Sequence, residues 1–178
     1  GGGSRTVGAW ILNPTIQNEE TVVAWGRRGG GDGSNASYVH GSNGIFGAVG
    51  QWGERPGVSW NGFYATNRWT YVAYTFDAAD NTTRVYKDGV LAQSETHVAG
   101  AINTWEFDNT TEGLPLRFRV GRQNAANGTA DPAASPTLFI GRLRVHDTTL
   151  DATAIAAKME AEKAAFWVDS DSDGAPDW

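Results

Sequence analysis

The chain has 178 residues, enough for one domain of ordinary size. It is 40% hydrophobic and contains eight Trp, so it can bury a core and is unlike a disordered chain. Cysteine is absent, which excludes disulfides, thiolate zinc sites, iron–sulfur clusters and a cysteine nucleophile. No apolar run reaches the roughly 20 residues of a membrane span, so we expect no direct membrane insertion.

The net charge of −6 is confined to the end of the chain. Residues 1–146 hold 12 basic and 12 acidic residues, whereas residues 147–178 hold eight acids and two lysines. A neutral body exerts no general attraction on nucleic acid, so we expect no nucleic-acid partner. The acidic end points to a cation instead.

Short runs of β-branched and aromatic residues recur along the chain between clusters of Gly, Asn, Asp and Pro, which is typical of an all-β fold. We predict strands at Thr6–Leu12, Thr21–Gly26, Ser37–His40, Ile45–Gln51, Gly57–Trp60, Trp69–Phe76, Thr82–Lys87, Val90–Ser94, Leu116–Arg122 and Leu138–His146. Ten strands with one apolar side each predict a sandwich of two antiparallel sheets.

Two local patterns refine this prediction. Asp88-Gly89 lies between two strand-like runs and suits the positive φ angles of a type I′ hairpin turn. Strict alternation along the last strand would place Phe139, Leu143 and Val145 on one face of the sheet.

A single helix is predicted after the last strand. Asp151 or Thr153 can begin it, and Ile155 and Met159 keep helical spacing through an Ala-rich stretch. We therefore divide the chain into a β body at 1–150, a helix at 151–167 and an acidic linker at 168–178.

Four motifs in chain order resemble the laminin-G-like, concanavalin A-like jelly-roll domains: Thr6–Ile11, Trp69–Asp77, Arg84–Val90 and Phe139–Asp147. The Gly-rich segment 21–35 resembles a subgroup found in large secreted bacterial multidomain proteins. Such domains usually begin with a further strand that this sequence lacks. The resemblance thus implies a jelly roll cut from a larger protein, or one whose sheet edge is covered by another segment or chain.

The acidic tail resembles thrombospondin type 3 and dockerin-like calcium repeats. Asp169, Asp171, Asp173 and Asp177 stand at loop positions 1, 3, 5 and 9, with Gly at position 6. The backbone oxygen of Ala175 would serve as the position-7 ligand. The resemblance implies Ca²⁺, bound weakly by this chain because no acid stands at position 12. The alternative is a solvated acidic linker.

Aromatic residues in or beside loops are candidates for stacking on sugar rings: Trp52, Trp60, Tyr64 and Trp105. The alternative for each is core packing or loop anchoring.

Four arginines alternate along two predicted strands: Arg117, Arg119, Arg142 and Arg144. If these strands are neighbours in one sheet, they form a cationic patch suited to carboxylated or sulfated glycans. The alternative is an ordinary solvated face.

Catalytic and phosphate-binding motifs are weak. Glucanases of this fold carry acids on alternate positions of one strand, and the nearest match, Glu106-Phe107-Asp108, has its next acid at Glu112, two residues too late. The Gly-rich segment 27–35 fits no phosphate-binding motif and favours a flexible connection, although its polar residues could join a binding rim or a second cation site. The lone histidines are expected at the surface or at strand ends: His40, His97 and His146.

The resemblance and the missing catalytic motif together predict a non-catalytic module that binds carbohydrate within a larger secreted or cell-surface bacterial protein. Its expected partners are a polysaccharide or glycan, which could be anionic, and other domains of the same polypeptide. One alternative is a structural or adhesive spacer that binds protein. A second is a glycoside hydrolase or lyase of the same fold, because this fold hosts all three functions.

Overall fold

The computed structural model describes residues 2–26, 35–44, 47–50, 57–64, 66–97, 104, 117–125, 129–131 and 137–166. The elements in these ranges are β1 (Arg5–Leu12), β2 (Thr21–Gly26), β3 (Asn35–Val39), β4 (Val49–Gly50), β5 (Trp69–Asp77), β6 (Thr82–Lys87), β7 (Val90–Thr96), β8 (Arg119–Val120), β9 (Gln123–Asn124), β10 (Ala130–Asp131), β11 (Phe139–His146) and α1 (Ala152–Phe166).

The strands form two main sheets. One has five strands in the order β11-β1-β5-β6-β7, and the other has four in the order β4-β3-β2-β8. Every described pairing in them is antiparallel, and β9 and β10 form a separate short hairpin. The predicted all-β, two-sheet antiparallel sandwich with one C-terminal helix is confirmed.

The main core lies between the two sheets. Val7, Ile11 and Tyr74 face it from the five-stranded sheet, and Val23 and Tyr38 face it from the other. The rings of Tyr38 and Tyr74 meet edge to face, with centroids 5.3 Å apart. Alternation of apolar side chains along each strand therefore holds the sandwich together, because it removes one face of each sheet from water.

The helix α1 covers the other face of the five-stranded sheet. Ile155 is buried there against Trp10 and Tyr71 in a second apolar cluster. The Asp151 carboxylate caps the helix by accepting a 2.8 Å hydrogen bond from the Ala154 N–H. Of the two predicted start signals, Asp151 is the cap.

The hairpin between β6 and β7 has the predicted turn. Asp88 and Gly89 have φ angles of 50° and 77°, the positive values that a type I′ turn requires. The Asp88 carboxylate also accepts a 3.1 Å bond from the Tyr71 N–H, which ties the turn to β5.

A β-bulge on β11 corrects the predicted faces of the last strand. Val7 pairs with Val145 and Leu12 with Phe139, with a register shift between the two pairs. Residue Arg142 lies at the bulge with a φ of 47°. Because the extra residue reverses the alternation, Phe139 lies on the opposite face from Val145, and the prediction of a shared face is wrong.

Several strand boundaries also differ from the prediction. Within the described residues, the strand predicted at Ile45–Gln51 is reduced to β4, and Gly57–Trp60 contributes only one isolated bridge, between Val49 and Val58. The strand predicted at Leu116–Arg122 is reduced to β8, while β9 and β10 were not predicted. Runs this short carry too few residues for a period of two to be visible.

The end strands β8 and β11 leave apolar side chains partly open to water. Phe118, Val120 and Val145 are 48%, 53% and 51% exposed. Val120 is paired with the core residue Val23, and Val145 with the core residue Val7, so both point to the core side of their sheets. The expectation of a further strand or a covering segment stays a prediction.

Candidate functional site

A small cavity lies at the β7 edge of the sandwich. Its volume is about 140 Å³, and its lining comes from the segment that bridges to β4 and from β7 itself: Gly57, Val58, Ser59, Asn61, Gln93, Ser94 and Glu95. We call this cavity the edge cleft. It lies at a sheet edge, where loop segments reach the side chains of the last strand.

The loop wall of the edge cleft is fixed to the core. Val58 and Val49 exchange backbone hydrogen bonds of 3.0 and 3.1 Å. Trp60 is 0% exposed, and its indole Nε1 donates a 2.9 Å bond to the Val39 carbonyl. Asn61 then begins a tight turn, in which the Phe63 N–H bonds the Trp60 carbonyl at 2.9 Å. Trp60 therefore anchors the turn at the position immediately before Asn61, which lines the edge cleft.

The chemical character of the edge cleft is polar. Ser59 supplies a hydroxyl group, and Asn61 and Gln93 supply amides that both donate and accept hydrogen bonds. Glu95 is the carboxylate of the lining. Such a mixture of donors and acceptors matches the hydroxyl groups of a sugar.

The turn that carries Asn61 also carries an exposed aromatic ring. Phe63, two residues after Asn61, is 49% exposed. The Lys87 ammonium lies 5.9 Å from the centroid of this ring, at the outer limit of a cation–π contact. Sequence reasoning missed Phe63 and the cleft residues, although the Asn-Gly pair at 61–62 was a turn signal that could have indicated an exposed tip.

The predicted stacking aromatics are only partly described. Trp60 is a core residue with no ring face open to a ligand, so its prediction as a stacking residue is corrected: the indole anchors the turn instead. Tyr64 is half-buried and meets the His40 ring edge to face, with centroids 6.0 Å apart. Trp52 and Trp105 lie outside the described residues.

The four predicted arginines do not form one patch. Arg117 and Arg119 belong to the β8 segment, which pairs with β2 in the four-stranded sheet. Arg142 and Arg144 belong to β11, which pairs with β1 in the other sheet. The condition for a shared cationic patch, that their strands are neighbours in one sheet, is therefore not met. Arg144 also forms a 3.3 Å ion pair with Glu162 of α1.

A different arginine cluster forms around β8. Arg117 and Arg122 are exposed, and Arg119 lies between them in the sequence. Burial and the nearby charges of Arg117 and Arg122 lower the pKa of Arg119. The Arg119 Nε donates to the Oδ1 of Asn124, a fully buried residue. We call Arg117, Arg119 and Arg122 the arginine surface.

A buried polar cluster joins three segments of the fold. The Glu20 carboxylate accepts hydrogen bonds from Asn13 Nδ2 at 2.7 Å, the Gln17 N–H at 3.1 Å, and the Thr137 N–H and hydroxyl at 2.9 and 2.6 Å. Burial raises the pKa of Glu20, but these hydrogen bonds outweigh burial and hold it below its ordinary value. Asn13 Nδ2 also lies 3.0 Å from His40 Nδ1.

His40 is fully buried, which corrects the expectation of a surface position, although it does follow the end of β3. Burial lowers the pKa of His40 to about 4, while the charge of Glu20 acts in the opposite direction. Because Glu20 and His40 are both out of reach of a ligand, the cluster is structural. His97 and His146 are half-buried, at the end of β7 and on β11.

Two of the predicted sites lie outside the described residues. One is the set of calcium ligands: Asp169, Asp171, Asp173, Ala175 and Asp177. The other is the weak catalytic motif: Glu106, Asp108 and Glu112. Within the described ranges, no three His, Asp or Glu side chains are grouped so that they could hold a metal ion. In the same ranges, no helix is both long and apolar enough to cross a bilayer.

No protein-family model matches the sequence, and no curated protein matches it. Solved structures do match. A protein from Bacteroides ovatus assigned to carbohydrate binding has a TM-score of 0.55 at 18% identity, over 98% of this chain and 44% of that one. Domain 4 of AbnA, an extracellular GH43 arabinanase from Geobacillus stearothermophilus in complex with arabinotriose, has a TM-score of 0.55 at 18% identity, over 87% and 66%.

A heptameric SAP-like pentraxin from Limulus polyphemus has a TM-score of 0.52 at 14% identity, over 86% of this chain and 68% of that one. At these identities the likeness concerns the fold, and it confirms the predicted jelly-roll sandwich. The laminin-G-like and thrombospondin type 3-like assignments stay predictions. This chain spans less than half the length of the Bacteroides protein.

Proposed function

We propose that this domain is a non-catalytic module that binds a carbohydrate in the edge cleft. The observation that carries the proposal is the lining itself, in which hydroxyl, amide and carboxylate groups converge on a cavity of about 140 Å³. Sugar hydroxyls need paired donors and acceptors, and Asn61 and Gln93 supply both from opposite walls. Phe63 adds an exposed ring on which the apolar face of a sugar can stack.

The number of carboxylates in the cleft favours binding over hydrolysis. Hydrolysis of a glycosidic bond generally uses two carboxyl groups that flank the bond. Within the described residues, the lining of the edge cleft contains one carboxyl group, that of Glu95. Glu95 is thus the one carboxylate that the described part of the lining supplies, and it can accept hydrogen bonds from the hydroxyl groups of a sugar.

The matched structures support the same proposal. The Bacteroides protein is assigned to carbohydrate binding, and the AbnA domain was solved with arabinotriose. This chain covers only part of both proteins, so we propose that it works as one module of a larger, extracellular protein that delivers it to a polysaccharide.

The test begins with a glycan array on the whole chain, followed by calorimetric titration of the best oligosaccharide. Asn61→Ala and Gln93→Ala are expected to weaken binding by about three- to tenfold, as the loss of one or two hydrogen bonds implies. Gln17→Ala is the matched control, because Gln17 is exposed outside the cleft, and its affinity should equal that of the unmodified chain.

Two outcomes would overturn the proposal. If no glycan binds and a protein ligand is captured tightly, the domain is an adhesive spacer. If reducing ends accumulate when the chain is incubated with laminarin, agar or alginate, and Glu95→Gln abolishes this release, the domain is a glycoside hydrolase.

A further inference from the structure

Three guanidinium groups gather at one corner of the four-stranded sheet. Arg119 pairs with Ala24 of β2, whereas its neighbour Val120 pairs with the core residue Val23. Arg119 therefore lies on the outer face of the sheet, and by alternation Arg117 shares that face. The chain turns at Gly121, whose φ is 73°, and Arg122 lies close enough to Arg119 for its charge to lower the pKa of Arg119.

The corner is held in a defined conformation. Asn124 Nδ2 donates 2.9 and 2.7 Å bonds to the carbonyl oxygens of Gly26 and Arg117, and its Oδ1 accepts from Arg119 Nε. The Gly121 N–H bonds the Val22 carbonyl at 3.0 Å. The backbone under the arginines is thus fixed before any ligand arrives, which lowers the entropic cost of binding one.

The positive charge at this corner exceeds the negative charge of its described neighbours. The described carboxylate in the adjoining hairpin is Asp131, opposite Gln123. Residues 117–125 and 129–131 carry three arginines and this one carboxylate.

We propose that the arginine surface binds the sulfate or carboxylate groups of an anionic glycan. This inference rests on the proposed carbohydrate binding and names the ligand class. A guanidinium group donates two parallel hydrogen bonds to a sulfate or a carboxylate, and a fixed arginine spends less side-chain entropy on them.

The negative net charge of the whole chain helps to separate local binding of a polyanion from general attraction. The whole chain has a net charge of −6, so a polyanion is repelled unless a local surface attracts it. The probes are dextran, dextran sulfate and carboxymethyl dextran of equal length, titrated calorimetrically into the whole chain at moderate salt. Binding of the two charged dextrans at least about tenfold tighter than binding of dextran is the expected result.

The variants are Arg117→Gln, Arg122→Gln and their combination. Arg119 is left in place because it contacts the buried Asn124. The double variant is expected to lose about tenfold or more of its affinity for both charged dextrans. Lys158→Gln is the matched control for each single variant: it removes one positive charge from α1, which packs on the five-stranded sheet, and should change the affinity less than about twofold.

Each remaining outcome separates this inference from the proposed function. Unchanged affinity of the double variant for dextran sulfate overturns the inference, whatever the glycan array shows. Tighter binding of single-stranded DNA with the same number of charges also overturns it, because the surface would then be a nucleic-acid site.

Loss of neutral-glycan binding in Asn61→Ala with dextran sulfate binding intact supports two separate sites. If dextran sulfate binds through the arginines but no neutral glycan binds, the inference stands and the edge cleft assignment fails.

Discussion

The indole Nε1 of Trp60 donates a 2.9 Å hydrogen bond to the carbonyl oxygen of Val39, which joins the wall of the edge cleft to a central strand. The same carbonyl accepts a 3.0 Å bond from the Tyr74 hydroxyl of the facing sheet. The Trp60 ring also packs edge to face on Tyr74, with centroids 5.6 Å apart. One tryptophan therefore links the cleft to both sheets.

The first prediction concerns this anchor. Trp60→Ala should lower the free energy of unfolding by about 3–5 kcal/mol, because it leaves a large cavity in the core. Phe63→Ala, three residues later in the same turn, should cost less than about 1 kcal/mol, because that ring is half exposed. Urea denaturation followed by fluorescence measures both. A similar loss in the two variants would show that Trp60 is not the anchor.

The second prediction is a loss of stability on mild acidification. The pKa of His40 is about 4 in the folded protein, against an ordinary value of 6.5. The unfolded state therefore binds more protons between these values, and stability falls as the pH drops from about 6.5 to about 4. The shift corresponds to about 3 kcal/mol at most. Protonation would also place a donor at His40 Nδ1, facing the Asn13 amide.

Urea denaturation at a series of pH values measures this effect. His40→Gln should flatten the stability profile between pH 6.5 and 4. His97 is the comparison, because burial also lowers its pKa to about 4 but the ring is only half-buried, so His97→Gln should change the slope less. If the two variants flatten the profile equally, burial of His40 is not the main cause. Protonation of Glu20 weakens the hydrogen bonds that its carboxylate accepts. Because the pKa of Glu20 lies below its ordinary value of 4.5, the free energy of unfolding should decline further below pH 4.5.

The third prediction compares two glycines with similar backbone angles. Gly89 and Gly62 have φ angles of 77° and 80°. A Cβ at Gly89 would lie 3.2 Å from Ala156 Cα of the helix, whereas a Cβ at Gly62 would meet nothing within 4 Å. Gly62→Ala should cost about 1–2 kcal/mol from backbone strain alone, and Gly89→Ala more. Equal losses, measured by chemical denaturation, would show that the helix yields easily at this contact.

The sequence was sufficient to predict those parts of the fold that have a long or distinctive local pattern. The nine residues of β5 form a long run rich in aromatic and β-branched residues, Asp88-Gly89 demands a type I′ turn, and Asp151 precedes an Ala-rich helix. Shorter elements such as β4 and β8 depend on which strands they pair with, and no local pattern specifies that. For the same reason, the faces of β11 were predicted wrongly: the bulge at Arg142 interrupts the alternation of its side chains, and nothing in the strand itself marks the extra residue.

The candidate site was less predictable than the fold. Trp60 has the same residue type and the same loop context whether it stacks on a sugar or anchors a turn, and only its burial decides. Two of the four predicted arginines belong to the four-stranded sheet and two to the five-stranded sheet, which no local pattern in the sequence reveals. The walls of the edge cleft come from residues more than thirty positions apart, so their convergence exists only in the folded chain.

The last prediction concerns calcium at the acidic tail and rests on the sequence alone. Four aspartates within nine residues repel one another in a compact loop, and a divalent cation would remove that repulsion. Calorimetric titration of Ca²⁺ should give a weak dissociation constant, about 10⁻⁴–10⁻³ M or poorer, because position 12 offers no bidentate acid. Asp171→Ala and Asp173→Ala should each weaken binding further, whereas Asp147→Ala, which removes an exposed acid before the helix, should leave it unchanged. Strong binding that all three variants retain would place the ion in the jelly roll and refute the calcium repeat.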